Sequence, residues 1–170
     1  MSRGFVKEDD QEEDPIIPNR APLPPGTTNY VTLAGLKMLM NEKRDLEAER
    51  KLVPTEESPE KRSALKVITG KMNMLLERIN SAEVVNVTEM DNDEIRFGAI
   101  VTFQFSNENK PRTFQIVGVD EADVKQKKIA FTSPIAQALM GKKPGENTVL
   151  KLERDNKNIS IHKISYPDNK

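Results

Sequence analysis

The run SPEKRSALKVITGKMNMLLERINSA, residues 58–82, decides the architecture of this chain. Leu65, Ile68, Met72, Leu75, Ile79 and Ala82 recur within it at alternating spacings of three and four, the periodicity of a coiled-coil seam. Such a stripe needs a partner helix. The preceding stretch from Thr32 supplies one: Leu36, Leu39, Leu46 and Val53 keep the same register, with Lys43 and Arg50 at the intervening positions. The aliphatic stems of those two bases can cover the seam while their charges reach water. Thr32 and Ser58 are favoured N-caps, and Pro59 suits a first helical turn. Together they predict an antiparallel helical hairpin over residues 30–83. Its arms are about 20 residues, or roughly 30 Å, long. The interruption between them, from Val53 to Pro59, is acidic and places Glu56 and Glu57 at the tip, with Glu60 in the turn that follows.

Composition narrows the function classes. A length of 170 residues accommodates one ordinary domain, or a small domain with an extension. The 26 lysines and arginines nearly cancel the 27 aspartates and glutamates, leaving a net charge of -1 and no global field for a polyanion. Without cysteine there is no disulfide framework, thiolate metal site or cysteine nucleophile, and the single histidine, His162, cannot build a histidine-rich metal cluster. No apolar run is long enough for a membrane span or a signal segment, so a cytoplasmic protein with no membrane partner is expected.

Before the hairpin, residues 1–29 are acidic and then proline-rich. Glu8, Asp9, Asp10, Glu12, Glu13 and Asp14 precede Pro15, Pro18, Pro22, Pro24 and Pro25, while Phe5, Val6, Ile16, Ile17 and Leu23 are the few groups worth burying. The composition predicts a flexible or extended tail. A second reading makes it an acidic peptide that docks on a basic partner or masks a basic surface of its own protein. Basic residues of the hairpin, Arg44, Arg50, Lys51, Lys61, Arg62 and Lys66, form a strip near the tip that could touch nucleic-acid phosphates such as those of an RNA. Equally, with acids interspersed, they read as a solvated face with local ion pairing.

Beyond Ala82 the period changes. Short β-rich runs at 84–87, 99–105, 113–119, 128–131, 148–152 and 159–164 predict five or six strands. Turn-rich stretches at 107–110, 142–145 and 155–158 separate them. One short helix is marked by Ser133 as cap, Pro134 in its first turn, Ile135, Ala138 and Leu139 facing inward, and Gly141 closing it. Val101, Phe103 and Phe105 alternate on one strand, and Phe114 and Ile116 on another, which suits an antiparallel sheet with one face covered by that helix. Phe131, Leu150, Leu152, Ile159 and Ile161 complete the expected core.

Several segments carry a family resemblance. Residues 30–36, YVTLAGL, are similar to the opening threonine and glycine-containing first helix of the Gre family of transcript cleavage factors, which act on bacterial RNA polymerase; 80–87, NSAEVVNV, is similar to the family's junction into its second domain, and 97–101, FGAIV, to its next strand. The fullest match is 116–123, IVGVDEAD, continued by Ile129, by 133–136, SPIA, and by 138–142, ALMGK. The resemblance implies an α+β fold, a coiled-coil hairpin followed over residues 84–170 by an FKBP-like domain with one short helix. It further implies that this domain docks on the rim of the polymerase secondary channel through Asp120, Glu121, Asp123, Ser133, Pro134 and Ile135, while the hairpin enters the channel; a monomer is expected because both arms supply enough seam to close on each other.

In the Gre family the tip carboxylates help bind Mg2+ in the polymerase active centre, so that backtracked RNA is cut near its 3′ end by the polymerase itself. The factor has no active site and no cofactor alone. Here Glu56, Glu57 and Glu60 are the tip carboxylates implied. The family tip reads Asp-x-x-Glu-Asn, whereas 57–61 reads ESPEK, keeping the interval between two carboxylates and placing Lys61 beside them. Arms shorter than the family's by roughly two turns would withdraw the tip by about 11 Å. A factor with the same dock and an altered tip would occlude the channel instead, and short-hairpin relatives called nucleoside diphosphate kinase regulators share the architecture. Two other classes fit less well: a peptidyl-prolyl isomerase or chaperone, by analogy of the FKBP-like fold alone, and a coiled-coil adaptor whose seam continues into a partner. The isomerase reading has little aromatic material to draw on, since there is no tryptophan and the two tyrosines, Tyr30 and Tyr166, fall outside the expected strands.

Overall fold

In a computed structural model of the chain, residues 13–88 and 90–167 are described. The expectations placed on Phe5, Val6, Glu8, Asp9, Asp10 and Glu12 lie outside them.

The predicted hairpin is present. Helix α1 runs Leu33–Leu52 and helix α2 runs Pro59–Ser81. Both start where their caps predict: the Thr32 hydroxyl accepts from the Gly35 backbone N–H, and the Ser58 hydroxyl from that of Lys61. Leu39, Leu46 and Leu75 are buried together, with Met72 and Ile79 packed against them. Ile68 is buried as well. Toward the tip the seam thins, Leu65 and Val53 being only half-buried. At the open end two short strands, β1 (Asn29–Val31) and β2 (Ala82–Val84), pair in parallel, with Asn29 opposite Ala82 and Val31 opposite Val84. β2 lies two residues ahead of the run expected at 84–87, and β1 carried no sequence signal of its own. Three residues gain strand geometry only because the hairpin returns the chain beside them.

The remaining strands are β3 (Ile100–Phe105), β4 (Arg112–Val117), β5 (Lys128–Ala130), β6 (Asn147–Lys151) and β7 (Asn156–Ser165). They form one sheet in the order β5-β4-β3-β7-β6. Three of its four pairings are antiparallel, but β4 and β5 run parallel, which departs from the purely antiparallel expectation. The connection between them, a turn followed by a 3-10 segment at Val124–Gln126, is long enough to bring the chain back to the starting end of β4. β7 begins inside the stretch expected as a turn at 155–158, so the reversal after β6 is tighter than the composition indicated.

Helix α3, Pro134–Leu139, is capped by Ser133 as predicted and covers one face of the sheet with Ala136 and Leu139 buried and Ile135 and Ala138 packed at the edge. Val101, Phe103, Phe105, Ile116, Phe131, Leu150, Ile159 and Ile161 share this core. Leu152 does not. It is 43% exposed, because β6 ends one residue earlier and nothing covers the turn beyond it. No helix among the described residues is long and apolar enough to cross a membrane.

Tyr166, just past the last strand, closes the sheet's rim. Its hydroxyl donates to the Glu94 carbonyl at 2.8 Å and accepts from the Arg96 backbone N–H at 3.0 Å, tying the 90–97 loop to the C-terminal end. Burial pushes the Tyr166 phenol above its ordinary value of 10.0. The folded state therefore favours the protonated phenol, so its contribution is complete below about pH 10 and declines as the pH rises past that. Tyr166→Phe is expected to lose about 1–2 kcal/mol in urea unfolding at neutral pH. The difference between the two proteins should narrow in alkaline buffer.

Candidate functional site

Two places in this fold gather charged side chains: the hairpin tip and the joint between hairpin and sheet domain. At the tip, Glu56, Glu57 and Glu60 are all exposed. They are not equivalent. Glu57 accepts a hydrogen bond from the Lys61 ammonium at 2.6 Å, one turn into α2, and lies 3.9 Å from the Arg62 guanidinium. The Lys61 hydrogen bond holds the Glu57 carboxyl below its usual range. Lys61 also donates to the Thr55 carbonyl, so the same ammonium staples the turn shut. Glu56 and Glu60 have no ion-pair partner among the described residues. These two are the carboxylates presented to anything the tip approaches. No group of three or more carboxylates or histidines among the described residues is gathered closely enough to hold a metal ion.

The basic strip is largely engaged. Besides Lys61 and Arg62 on Glu57, Lys66 pairs with Asp14 at 2.7 Å, and Arg44 hydrogen-bonds Asn41 one turn back. Asp14 is correspondingly held below the normal carboxylate range by its bond to Lys66. Arg50 and Lys51 are exposed in the last turn of α1, where cations suit the helix dipole.

The joint is where the structure corrects the sequence. Asp120 and Glu121, expected on an outward docking surface, point inward. The Asp120 side chain is 9% exposed and meets the Arg20 guanidinium at 2.9–3.0 Å and that of Arg78 at 3.5 Å. Glu121, with its side chain 2% exposed, accepts from the Thr32 hydroxyl and from the Lys128 ammonium at 3.0 Å. Thr32 is thus the N-cap of α1 and a link to the sheet domain at once. Both acids follow Gly118, which passes so close to Tyr30 that an added Cβ would lie 2.6 Å from the Tyr30 carbonyl oxygen. The Tyr30 ring in turn packs on Phe97 and Phe131, centroids 5.9 and 5.7 Å away, and those two rings meet edge to face at 5.6 Å. Phe97 and Phe131 are thus covered by the hairpin base. Of the expected docking residues, Pro134 is exposed, Asp123, Ser133 and Ile135 are half-buried, and Asp123 caps the 3-10 segment.

Sequence reasoning missed Arg20, Glu42 and Arg78. Arg20 donates to both carboxylate oxygens of Glu42, at 2.7 and 3.0 Å, as well as to Asp120. One signal was there: it is the only cation between Lys7 and Lys37, set among prolines.

The loop from Gly118 to Glu121 is therefore a joint between hairpin and sheet domain, inside the stretch that carries the fullest resemblance. Residues 90–166 match the family model described as transcription elongation factor GreA/GreB, C-terminal. Over these residues the chain is similar to that C-terminal domain. Among curated proteins similar to this chain, transcription elongation factor GreA of Hyphomonas neptunium is 37% identical over 99 residues, covering 58% of this chain and 63% of that protein. GreA of Mesorhizobium japonicum is 44% identical over 77 residues, or 45% of this chain and 49% of its own length. The chain thus spans less than two thirds of the length of these relatives. Among solved structures, the GreA factor homolog 1 protein of Thermus thermophilus aligns over 82% of this chain and 99% of its own at 20% identity, with a TM-score of 0.38.

Proposed function

We propose that this chain is a Gre-type factor that binds RNA polymerase at the secondary channel and regulates elongation as an accessory factor, the sheet domain docking on the rim and the hairpin entering the channel. The observation that carries the reading is the match of residues 90–166 to the GreA/GreB C-terminal model together with a hairpin of 20- and 23-residue helices that ends in exposed carboxylates. Any cleavage of RNA belongs to the polymerase, and the action is cytoplasmic, by a monomer. With Asp120 and Glu121 turned inward, docking falls to Asp123, Ser133, Pro134 and Ile135, where an exposed proline beside a half-buried isoleucine offers a small apolar anchor.

For cleavage, Glu56 and Glu60 are the oxygen donors the tip can offer, and Mg2+, when bound in the polymerase active centre, would supply Lewis-acid charge at the scissile phosphate. The chain's own contribution is to bring those carboxylates to the RNA 3′ end and to keep Lys61 occupied by Glu57. A second reading, occlusion of the channel without cleavage, is favoured by that same Lys61–Glu57 bond, which removes one carboxylate from the set.

Stalled, backtracked elongation complexes with magnesium distinguish the two. Wild type should release short 3′ RNA fragments, and the variant with Glu56, Glu57 and Glu60 all replaced by alanine should release them at least about 10-fold more slowly, the scale of losing metal-supporting groups. Absence of fragments with wild type, together with slowed nucleotide addition, would establish occlusion. Retention on immobilised polymerase tests docking separately: if Asp123→Ala combined with Pro134→Ala binds as well as wild type, the rim surface is elsewhere.

A further inference from the structure

Residues 13–28 contain no helix or strand, and this part of the flexible or extended tail expected from composition is held by side-chain contacts. Asp14 pairs with Lys66 in the first half of α2. Ile17 lies in a notch of α2 that exists because residue 70 is glycine: an added Cβ there would come within 2.3 Å of Ile17 Cδ1. Arg20 then bridges Glu42 of α1 and Asp120 of the sheet domain. Ala21 accepts a hydrogen bond from Arg78 through its carbonyl, and Leu23 packs against the sheet domain's core. One extended segment therefore touches both hairpin arms and the sheet domain.

The direct contacts between hairpin and domain cluster at the base, at Tyr30, Thr32, Gly118 and Glu121, with Arg78 meeting Asp120 at 3.5 Å in the last turn of α2. Glu42 is ten residues up α1 from Thr32, about 15 Å along the axis. A tie at that height resists rotation of the rod far better than contacts at its foot, for the same reason that a guy rope is fixed partway up a mast. Proline fits the role, since its restricted φ lowers the entropy lost when the segment is laid down, and five prolines lie between residues 15 and 25.

We propose that residues 14–24 are a strap that fastens the hairpin to the sheet domain in one orientation, with the Arg20 bridge between Glu42 and Asp120 as its fastening and the Gly70 notch as its seat. Releasing the strap frees the hairpin to pivot about its base and changes where the tip points. The partner that would release it is one offering carboxylates to Arg20 or an apolar side chain to the Gly70 notch.

Because the chain has no cysteine, two can be introduced cleanly for spin labels. Thr55→Cys at the tip and Asn109→Cys on the sheet domain are both exposed. Distances between the labels in the full chain should form one narrow distribution. Arg20→Ala removes the fastening, and Gly70→Ala removes the seat while replacing a poor helix former by the best one, so its effect cannot come from a weakened α2. Each variant should lose the single narrow distance and gain a broad population, with helix content retained by circular dichroism. A broad distribution in the parent, or one that stays narrow in either folded variant, overturns the strap. None of these readouts involves polymerase, so they stand or fall apart from the proposed function.

Discussion

Asp120→Ala is expected to destabilise the chain by about 3 kcal/mol, the lower end of what removing one partner from a buried ion pair costs. The reason is the company Asp120 keeps. Two guanidiniums, from Arg20 and Arg78, converge on its nearly buried carboxylate, and both are themselves mostly covered, with 16% and 13% of their side chains exposed. Glu42 compensates Arg20 alone. Without Asp120, Arg78 would sit beside a second cation in a place water reaches poorly. Asp120→Asn should recover little, because the amide keeps the shape and loses the charge. Urea unfolding of Asp120→Ala, Arg20→Ala and the double variant gives the coupling directly: the double should cost clearly less than the sum. Additive losses would mean that the two side chains do not act on each other.

Gly118→Ala is the other substitution with a large expected effect, about 2–3 kcal/mol from overpacking. The new methyl would lie 2.6 Å from the Tyr30 carbonyl oxygen, and the obstacle is backbone, so no side chain can rotate away. Relief requires β1 to move off the sheet domain, which pulls the Tyr30 ring from Phe97 and Phe131. A lowered melting temperature accompanied by loss of the tyrosine near-ultraviolet circular dichroism would report both events. In a protein without tryptophan, Tyr30 and Tyr166 dominate that signal. A wild-type melting temperature would show that the joint is looser than its geometry.

These two positions explain what the 116–123 segment is for. Read as sequence, GVDE at 118–121 carries two acids expected on an outward docking surface. In the fold it is the surface against which the hairpin base closes. The tip carries the opposite lesson. Its carboxylates are exposed as expected, and the lysine beside them is already bonded to Glu57.

The sequence by itself determined what is local. The three-and-four spacing of Leu65, Ile68, Met72, Leu75 and Ile79, the caps at Thr32, Ser58 and Ser133, and the alternation of Val101, Phe103 and Phe105 all act within a few residues, so periodicity exposes them. Tertiary structure decided the inward turn of Asp120 and Glu121, the creation of β1, the parallel pairing of β4 with β5, and the holding of residues 14–24 as a strap. Each depends on groups far apart in the chain: Arg20 and Asp120 are separated by 100 positions, Thr32 and Glu121 by 89. A carboxylate in a turn has the same local chemistry whether it faces water or a guanidinium. Only the closing of the hairpin on the sheet domain, which removes the water, decides between them.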